Sequence, residues 1–302
     1  MDAVERPTPR DTVSRPGLHH RAVPGRTPQS PDGRGVGALL RTWRARRNVS
    51  QLELASRADS SARHISFIET GRAKPSSSLL LRFAELLDVP VRDRNTLLIS
   101  AGYAPVFPES PLSEPDMRTL SGELDHLLTA YEPNPALVHD SLYNVVAANR
   151  SLLTLASGVA DHLLAPPVNT MRLALHPEGL APRIRNLGQW RAHLLGQMER
   201  QIAWSGSAAL ADLYQEVAAY GDAGGHADVD ADADADSMKP FTDAAYALPM
   251  VIGWEGRQLA FISTLTTFNS PLDVTVSELA IETFLPSNQE TAAVLRELRA
   301  EG

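Results

Sequence analysis

The residues whose types and spacing could do chemistry are concentrated in Ser50 to Gly71, SQLELASRADSSARHISFIETG. Two short apolar-periodic runs are split there by Asp59–Ser61. Leu52, Leu54 and Ala55 mark a helix over Gln51 to Arg57, and Ile65 and Ile68 mark a second over Ala62 to Glu69. Ser50 suits the N-cap of the first helix, and Glu53 completes an S-x-x-E capping box. Ser61 suits the N-cap of the second, and Gly71 its C-terminal stop. Helices this short bury little alone. Docking the second in a DNA groove is one use of such a unit; an ordinary hairpin within an all-α domain is the other. The pattern alone leaves both open.

Other chemistries find less support. The chain has no cysteine, which excludes disulfides, thiolate metal sites and a cysteine nucleophile. It has no G-x-S-x-G, H-E-x-x-H, P-loop or G-x-G-x-x-G, so catalysis is not expected. Glu278 and Glu282 are spaced i, i+4 but lie in strand composition. Residues 221–237, GDAGGHADVDADADADS, alternate aspartates without the pattern of an EF-hand loop or a calcium β-roll. They are expected to form a solvated, flexible insertion, and no metal is expected.

Charge is distributed unevenly over the 302 residues. The whole chain carries −8, but residues 37–104 are +5 and residues 105–302 are −15. A basic module can collect phosphate contacts while an acidic one stays off nucleic acid. Residues 1–35, rich in Pro, Arg, Gly and Ser, read as a disordered basic leader. No apolar run is long enough to span a membrane and no secretory h-region opens the chain, so the expected location is the cytoplasm.

Around the opening segment, helical periodicity predicts three further helices. Val36 to Arg47 carries Val36, Leu39, Leu40 and Trp43 as a stripe; Ser77 to Leu87 turns Leu80, Leu81, Ala84 and Leu87 inward; Arg92 to Ala101 buries Leu97 and Leu98. Residues 36–104 thus form a compact five-helix, all-α domain. Residues 37–103 resemble the Xre/Cro-type helix-turn-helix family through Ser50-Gln51, Glu53-Leu54-Ala55, Ile65-Ser66, Ile68-Glu69, Gly71-Arg72, Lys74-Pro75 and Leu86-Leu87-Asp88-Val89-Pro90. That resemblance implies double-stranded operator DNA as a partner. It places Gln51 on a phosphate, Ser61, Arg63, His64, Ser66 and Phe67 along the recognition helix, and Arg72 and Lys74 on the backbone. For Phe67, a thymine methyl or packing within the domain are equal options. Arg44 is implied near phosphate and as the ion-pair partner of Glu69. Two positions depart from the family: Ala62 removes a usual glutamine, and Asp59 replaces a usual turn glycine, which Asp can survive because it tolerates αL backbone.

Residues 105–119 hold Pro105, Pro108, Pro111 and Pro115 and read as a linker. Residues 120–302 form the second domain. A helix over Leu120 to Tyr131 either packs on this domain or pairs with a second copy. A hairpin of 135–140 and 142–148, a helix over Asn149 to Ala156, a helical stretch Leu163 to Leu175 broken at Pro166-Pro167, and helices Ile184 to Trp204 and Ala208 to Tyr220 follow. Strands are expected over Tyr246 to Trp254, Gln258 to Phe268 and Thr275 to Phe284, with a short helix in 287–302. The result is an α+β, PAS-like domain: a five-stranded antiparallel sheet with a helical insertion.

Residues 133–286 resemble the ligand-binding domain of MmyB-like transcription regulators. The resemblance rests on Asn144-Val145-Val146-Ala147-Ala148-Asn149, Pro167-Val168-Asn169, Arg172-Leu173-Ala174-Leu175-His176-Pro177, Trp190-Arg191, His193-Leu194 and Ser277-Glu278-Leu279-Ala280-Ile281-Glu282. It implies a small apolar ligand, with a fatty acid the leading candidate, and no other cofactor. Pocket candidates are Met171, Leu175, Trp190, Leu194, Phe261 and Phe268. Arg172, Arg183 and Arg191 are candidates to meet a carboxylate, and His193 a head group. The expected protein is a homodimeric transcription regulator; a C-terminal domain that only dimerises or binds protein stays open.

Overall fold

The computed structural model describes residues 35–112, 114, 117–221, 247–269 and 271–300. All but the last residue of the basic leader and all but the first residue of the acidic insertion lie outside the described residues.

The N-terminal part is helical: Val36–Arg46 (α1), Gln51–Arg57 (α2), Ala62–Glu69 (α3), Ser77–Leu86 (α4) and Val91–Ser100 (α5). Helices of this length are marginal alone, so packing must hold them. Leu40, Leu54, Ile65, Ile68, Phe83 and Leu97 supply that core, each fully buried. Burying such a side chain contributes about 1.5–3 kcal/mol. On α4 the inward residue is Phe83 rather than Leu81, which is only half-buried. The Oγ atoms of Ser50, Ser61 and Ser76 accept the N–H groups of Glu53, His64 and Leu79 at 3.0, 3.1 and 3.3 Å. Each such cap stabilises its helix by about 1 kcal/mol. The carboxylate of Glu53 pairs with Arg57 one turn on. Asp59 does adopt a left-handed backbone, φ 53°. Gly37 marks the closest approach of α1 to α3: a Cβ there would lie 2.3 Å from the Ile68 carbonyl oxygen.

The proline-rich stretch after α5 is stitched down. Asn95 accepts the N–H groups of Val106 and Phe107 through Oδ1 and donates to the Phe107 carbonyl, and the Pro108 carbonyl accepts the N–H of Val274.

The second part is built on an antiparallel sheet of Ala136–His139 (β1), Val145–Ala148 (β2), Met250–Trp254 (β3), Arg257–Thr267 (β4) and Ala280–Pro286 (β5), in the order β2-β1-β5-β4-β3. This is the expected PAS-like arrangement. Register assigns the faces, because paired residues share one. Leu137, Glu282 and Leu265 face one way; Val138 and Ile281 face the other. Against the second face lies Arg118–Tyr131 (α6), through Leu124 and Leu128. The helix whose partner the sequence left open therefore packs on its own sheet. Against the first face lie Arg150–Leu155 (α7), Asp161–Leu164 (α8), Thr170–Leu175 (α9), Leu187–Ser205 (α10) and Ala208–Ala219 (α11).

Three boundaries differ from expectation. The strand expected from Thr275 begins instead as a helical turn, Val274–Ser277 (α12), because Asp273 Oδ1 accepts the N–H groups of Thr275 and Val276. Ile184 is bridged to Ile252 rather than starting α10, and Asn186 ties the loop to Pro249 and Val251. The third is β3, which starts at Met250; Tyr246 lies outside the described residues. Gln289–Ala300 (α13) closes the chain, with Thr291 Oγ1 accepting the N–H of Ala260.

Candidate functional site

At the C-terminal end of α3, the Glu69 side chain is 0% exposed. Its carboxylate accepts Arg44 Nε at 2.7 Å and Arg44 Nη2 at 3.1 Å, Gln51 Nε2 at 2.8 Å and Arg41 Nε at 3.3 Å. Arg44 also donates to the Val49 carbonyl at 2.8 Å. Burial alone would raise the Glu69 carboxyl, but the Arg44, Gln51 and Arg41 contacts outweigh it and hold it below its ordinary value. The Arg44–Glu69 pair is as expected. Gln51 is not left to a phosphate alone, since its amide donates inward to Glu69. Arg41 is the partner that periodicity missed, because nothing local ties α1 to the end of α3.

The outward face of α3 is organised around Phe67. The guanidinium carbons of Arg63 and Arg72 lie 5.2 and 6.0 Å from its ring centroid. Phe67 is half-buried and both arginines are exposed, so the ring is a platform that orients two cations. Lys74 Nζ sits 4.8 Å over Tyr103, whose hydroxyl donates to the Pro75 carbonyl. His64 Nδ1 lies 3.4 Å from Ser60 Oγ, the Ser61 hydroxyl is engaged as the cap, and the Ser66 carbonyl accepts from Thr70. Fixed cations on a helix end are what a phosphate backbone and a guanine edge require.

On the inner sheet face, Met171, Leu175, Trp190, Leu194 and Phe261 come together in one buried cluster. Phe268 does not join them. It follows the end of β4 and packs with α6 on the opposite face, the side that register assigns it. The three arginines expected for a carboxylate are taken up by protein acceptors. Arg172 makes two 2.7 Å bonds to Glu216 and holds that carboxyl down at about 2. Arg183 donates to the carbonyls of Gly253 and Ser157, and Arg191 to those of Ala218 in the last turn of α11 and of Gly221 beyond it. His193 stacks on Trp190 with centroids 5.3 Å apart. Elsewhere, His162, His176 and Glu178 bring ligand atoms within 4.8 Å, but His176 Nδ1 accepts the Glu178 N–H, which puts the ring proton on Nε2.

Sequence reasoning passed over the polar group this face does carry. Glu282 shares the face of Leu137 and accepts Ser263 Oγ at 2.6 Å. Burial pushes its carboxyl up, against the pull of Ser263 and of the nearby His139 and His193. Tyr143, stacked on His139, donates its hydroxyl to Gln201 at 2.7 Å, and burial pushes that phenol up to about 12. A glutamate alternating with apolar residues was the available signal; only the register gave it a direction.

A family model for a helix-turn-helix domain matches residues 36–97. A second, described as the MmyB-like transcription regulator ligand binding domain, matches residues 120–298. The chain belongs to the MmyB-like transcription regulators. It is a DNA-binding regulator with a ligand-sensing C-terminal domain, and neither matched family is enzymatic. No curated protein matches the chain. One similar solved chain is described as "Structure of an RNA-binding Light-Oxygen-Voltage Receptor", at 14% identity and TM-score 0.25 over 90% of this chain. The regulator spans 64% of that chain, and so low a TM-score carries no argument. Among the described residues, no helix is long and apolar enough to cross a membrane.

The two parts of the regulator meet at the C-terminal end of α10. Arg46 donates to the Ser205 carbonyl at 3.2 Å and Arg47 to that of Trp204 at 3.0 Å, with the Arg47 guanidinium 5.2 Å from the Trp204 ring. Arg47 also donates to Leu87 and Asp88, so it brackets the end of α4 as well. Cations at a helix C-terminus meet its unpaired carbonyls and the negative end of its dipole. A second link joins Arg92 of α5 to Glu278, at 2.6 and 3.0 Å, and to Glu109 at 2.7 Å.

Proposed function

We propose that this regulator acts in the cytoplasm as a homodimer that lays α3 in the major groove of a double-stranded operator. A small apolar ligand, held on the inner face of the PAS-like domain, then changes operator affinity. The ligand arm rests on one observation: α10 belongs to both ends of the molecule. Trp190, Leu194 and Met198 of α10 line the inner cluster, and its last carbonyls are gripped by Arg46 at the end of α1 and by Arg47 just after it. The helix carries a displacement over roughly 20 Å, from Trp190 to Ser205, at 1.5 Å per residue. A ligand shifts the equilibrium only as far as it prefers one placement of α10. Dimerisation is proposed because one module with few base contacts specifies a site poorly, and a two-fold pair reads two half-sites.

The test begins with footprinting of the DNA upstream of the regulator's own gene, and with extraction and mass spectrometry of the purified protein. Operator affinity is then measured with and without the recovered ligand, in wild type and in Arg47→Ala. The expected result is a ligand effect in wild type that shrinks at least threefold in Arg47→Ala. An undiminished effect would remove α10 from the route. Repeated absence of any ligand, with no thermal shift on adding apolar compounds, would favour a C-terminal domain that only dimerises.

A further inference from the structure

The last helix of the DNA-binding part ends in a way that fixes one side chain. Gly102, at φ 76°, follows α5 in a left-handed turn. Its N–H donates to the Ile99 carbonyl at 2.9 Å, and the N–H of Tyr103 donates to the Leu98 carbonyl at 2.9 Å. These paired bonds make a Schellman stop, in which the residue after the glycine packs back on the helix. Tyr103 does so, against the buried cluster of Leu80, Leu98 and Ala101. Its far end is held as well: the hydroxyl donates to the Pro75 carbonyl at 2.9 Å, just before α4 begins.

The loop between α3 and α4 is thus tied at both ends. At its start, the Phe67 carbonyl accepts the N–H groups of Arg72 and Ala73 at 2.7 and 3.1 Å. Lys74 lies between the two ties. Its ammonium sits 4.8 Å from the Tyr103 ring centroid and finds no hydrogen-bond acceptor among the described residues. Gly102 passes beside it, where a Cβ would stand 3.5 Å from Nζ. Arg41 and Arg44 are committed to Glu69, and Arg47 to the carbonyls of Leu87, Asp88 and Trp204. Lys74 differs from them. A ring face takes one side of its ammonium and leaves the N–H donors for an anion from outside.

We infer that Tyr103, outside the helix-turn-helix itself, is a positioning residue for DNA binding: it holds Lys74, and the loop that carries it, in place for a backbone phosphate. This rests on the proposed docking of α3 in the major groove and names a residue that serves it. A free lysine side chain loses rotamer freedom when it meets a phosphate; one already seated on a ring loses less. Phosphates are common to all sequences, so Tyr103 acts on affinity for any duplex and not on the choice of operator.

The experiment uses the full chain and a fluorescent mixed-sequence duplex of about 30 base pairs, titrated by anisotropy over a range of salt concentrations. Lys74→Met is expected to reduce the slope of log affinity against log salt by about 1, and to weaken binding roughly fivefold to tenfold at about 0.1 M salt. Tyr103→Leu is expected to weaken binding roughly threefold or more when Lys74 is present, and by less than about 1.5-fold in the Lys74→Met background. Tyr103→Phe keeps the ring and is expected to stay within about twofold of wild type. Calorimetry confirms that each variant is folded at the assay temperature, and Tyr103→Met takes the place of Tyr103→Leu in the cycle should the leucine variant melt below it. Equal losses from Tyr103→Leu in the two backgrounds would overturn the inference and leave Tyr103 a packing residue. So would an unchanged salt slope in Lys74→Met, or a Tyr103→Phe variant as weak as Tyr103→Leu. A wild-type chain that binds neither this duplex nor the DNA upstream of its own gene would overturn the docking of α3 itself, and this inference with it.

Discussion

Glu69→Ala tests whether the DNA-binding helix is held by a buried charge. The substitution removes the acceptor of Arg44, Gln51 and Arg41 together. Arg44, 16% exposed at its side chain, keeps its charge and its Val49 contact but loses the carboxylate. Breaking a buried pair from one side costs about 3–5 kcal/mol, and the remaining exposure of Arg44 places this case near 3. In a helical unit of this size, 3 kcal/mol corresponds to roughly 10–25 °C of melting temperature. Calorimetry of the full chain reads that shift in the transition of the helical part. A second readout separates charge from packing. The folded carboxyl is held below its ordinary value of 4.5, so its contribution is complete above about that pH and is lost as pH falls through the folded value. Wild type should therefore lose stability on acidification over that window, and Glu69→Ala should lose less. Glu69→Gln, which keeps an acceptor without the charge, should fall between the two. A melting temperature for Glu69→Ala within about 3 °C of wild type, at roughly 4–8 °C per kcal/mol, would refute the buried-pair account.

Gly37→Ala places a Cβ 2.3 Å from the Ile68 carbonyl oxygen. It should cost about 1–3 kcal/mol by pushing α1 from α3, whereas Gly122→Ala, with open space around it, should be neutral or stabilising in a urea titration. Phe67→Leu keeps apolar bulk but removes the ring between Arg63 and Arg72; operator affinity by fluorescence anisotropy should fall roughly fivefold to thirtyfold, since each of the two contacts is worth about 0.5–1 kcal/mol. Arg63→Ala should weaken operator binding more than non-specific binding, by about 1–3 kcal/mol if the guanidinium reads a guanine; equal losses on both DNAs would assign Arg63 to phosphate.

The helical part was legible because its signals are local. Ser50, Ser61, Asp59 and Gly71 each act within a few residues of themselves, and each does in the fold what its type permits. The hairpins and most strand runs of the sheet were legible for the same reason, from alternation and turns. Helix ends set by distant partners were not. Ile184 continues the apolar period of α10, yet its backbone is claimed by Ile252, and α12 interrupts a strand-like run because a single Asp273 carboxylate reaches two N–H groups.

Side-chain charge was the least legible quantity on the ligand side. Residue type says that an arginine can meet a carboxylate; only tertiary structure says whether a protein acceptor has reached it first. Arg172 is claimed by Glu216 from 44 positions away, Arg183 by the carbonyls of Gly253 and Ser157, and Arg191 by the end of α11. Glu282 was set aside as an acid within a strand, and the register that turns it inward depends on β1 and β4, which flank it from opposite ends of the domain. The direction in which Glu282 and those arginines turn is thus a property of pairings made across the domain, which no local run of residues carries.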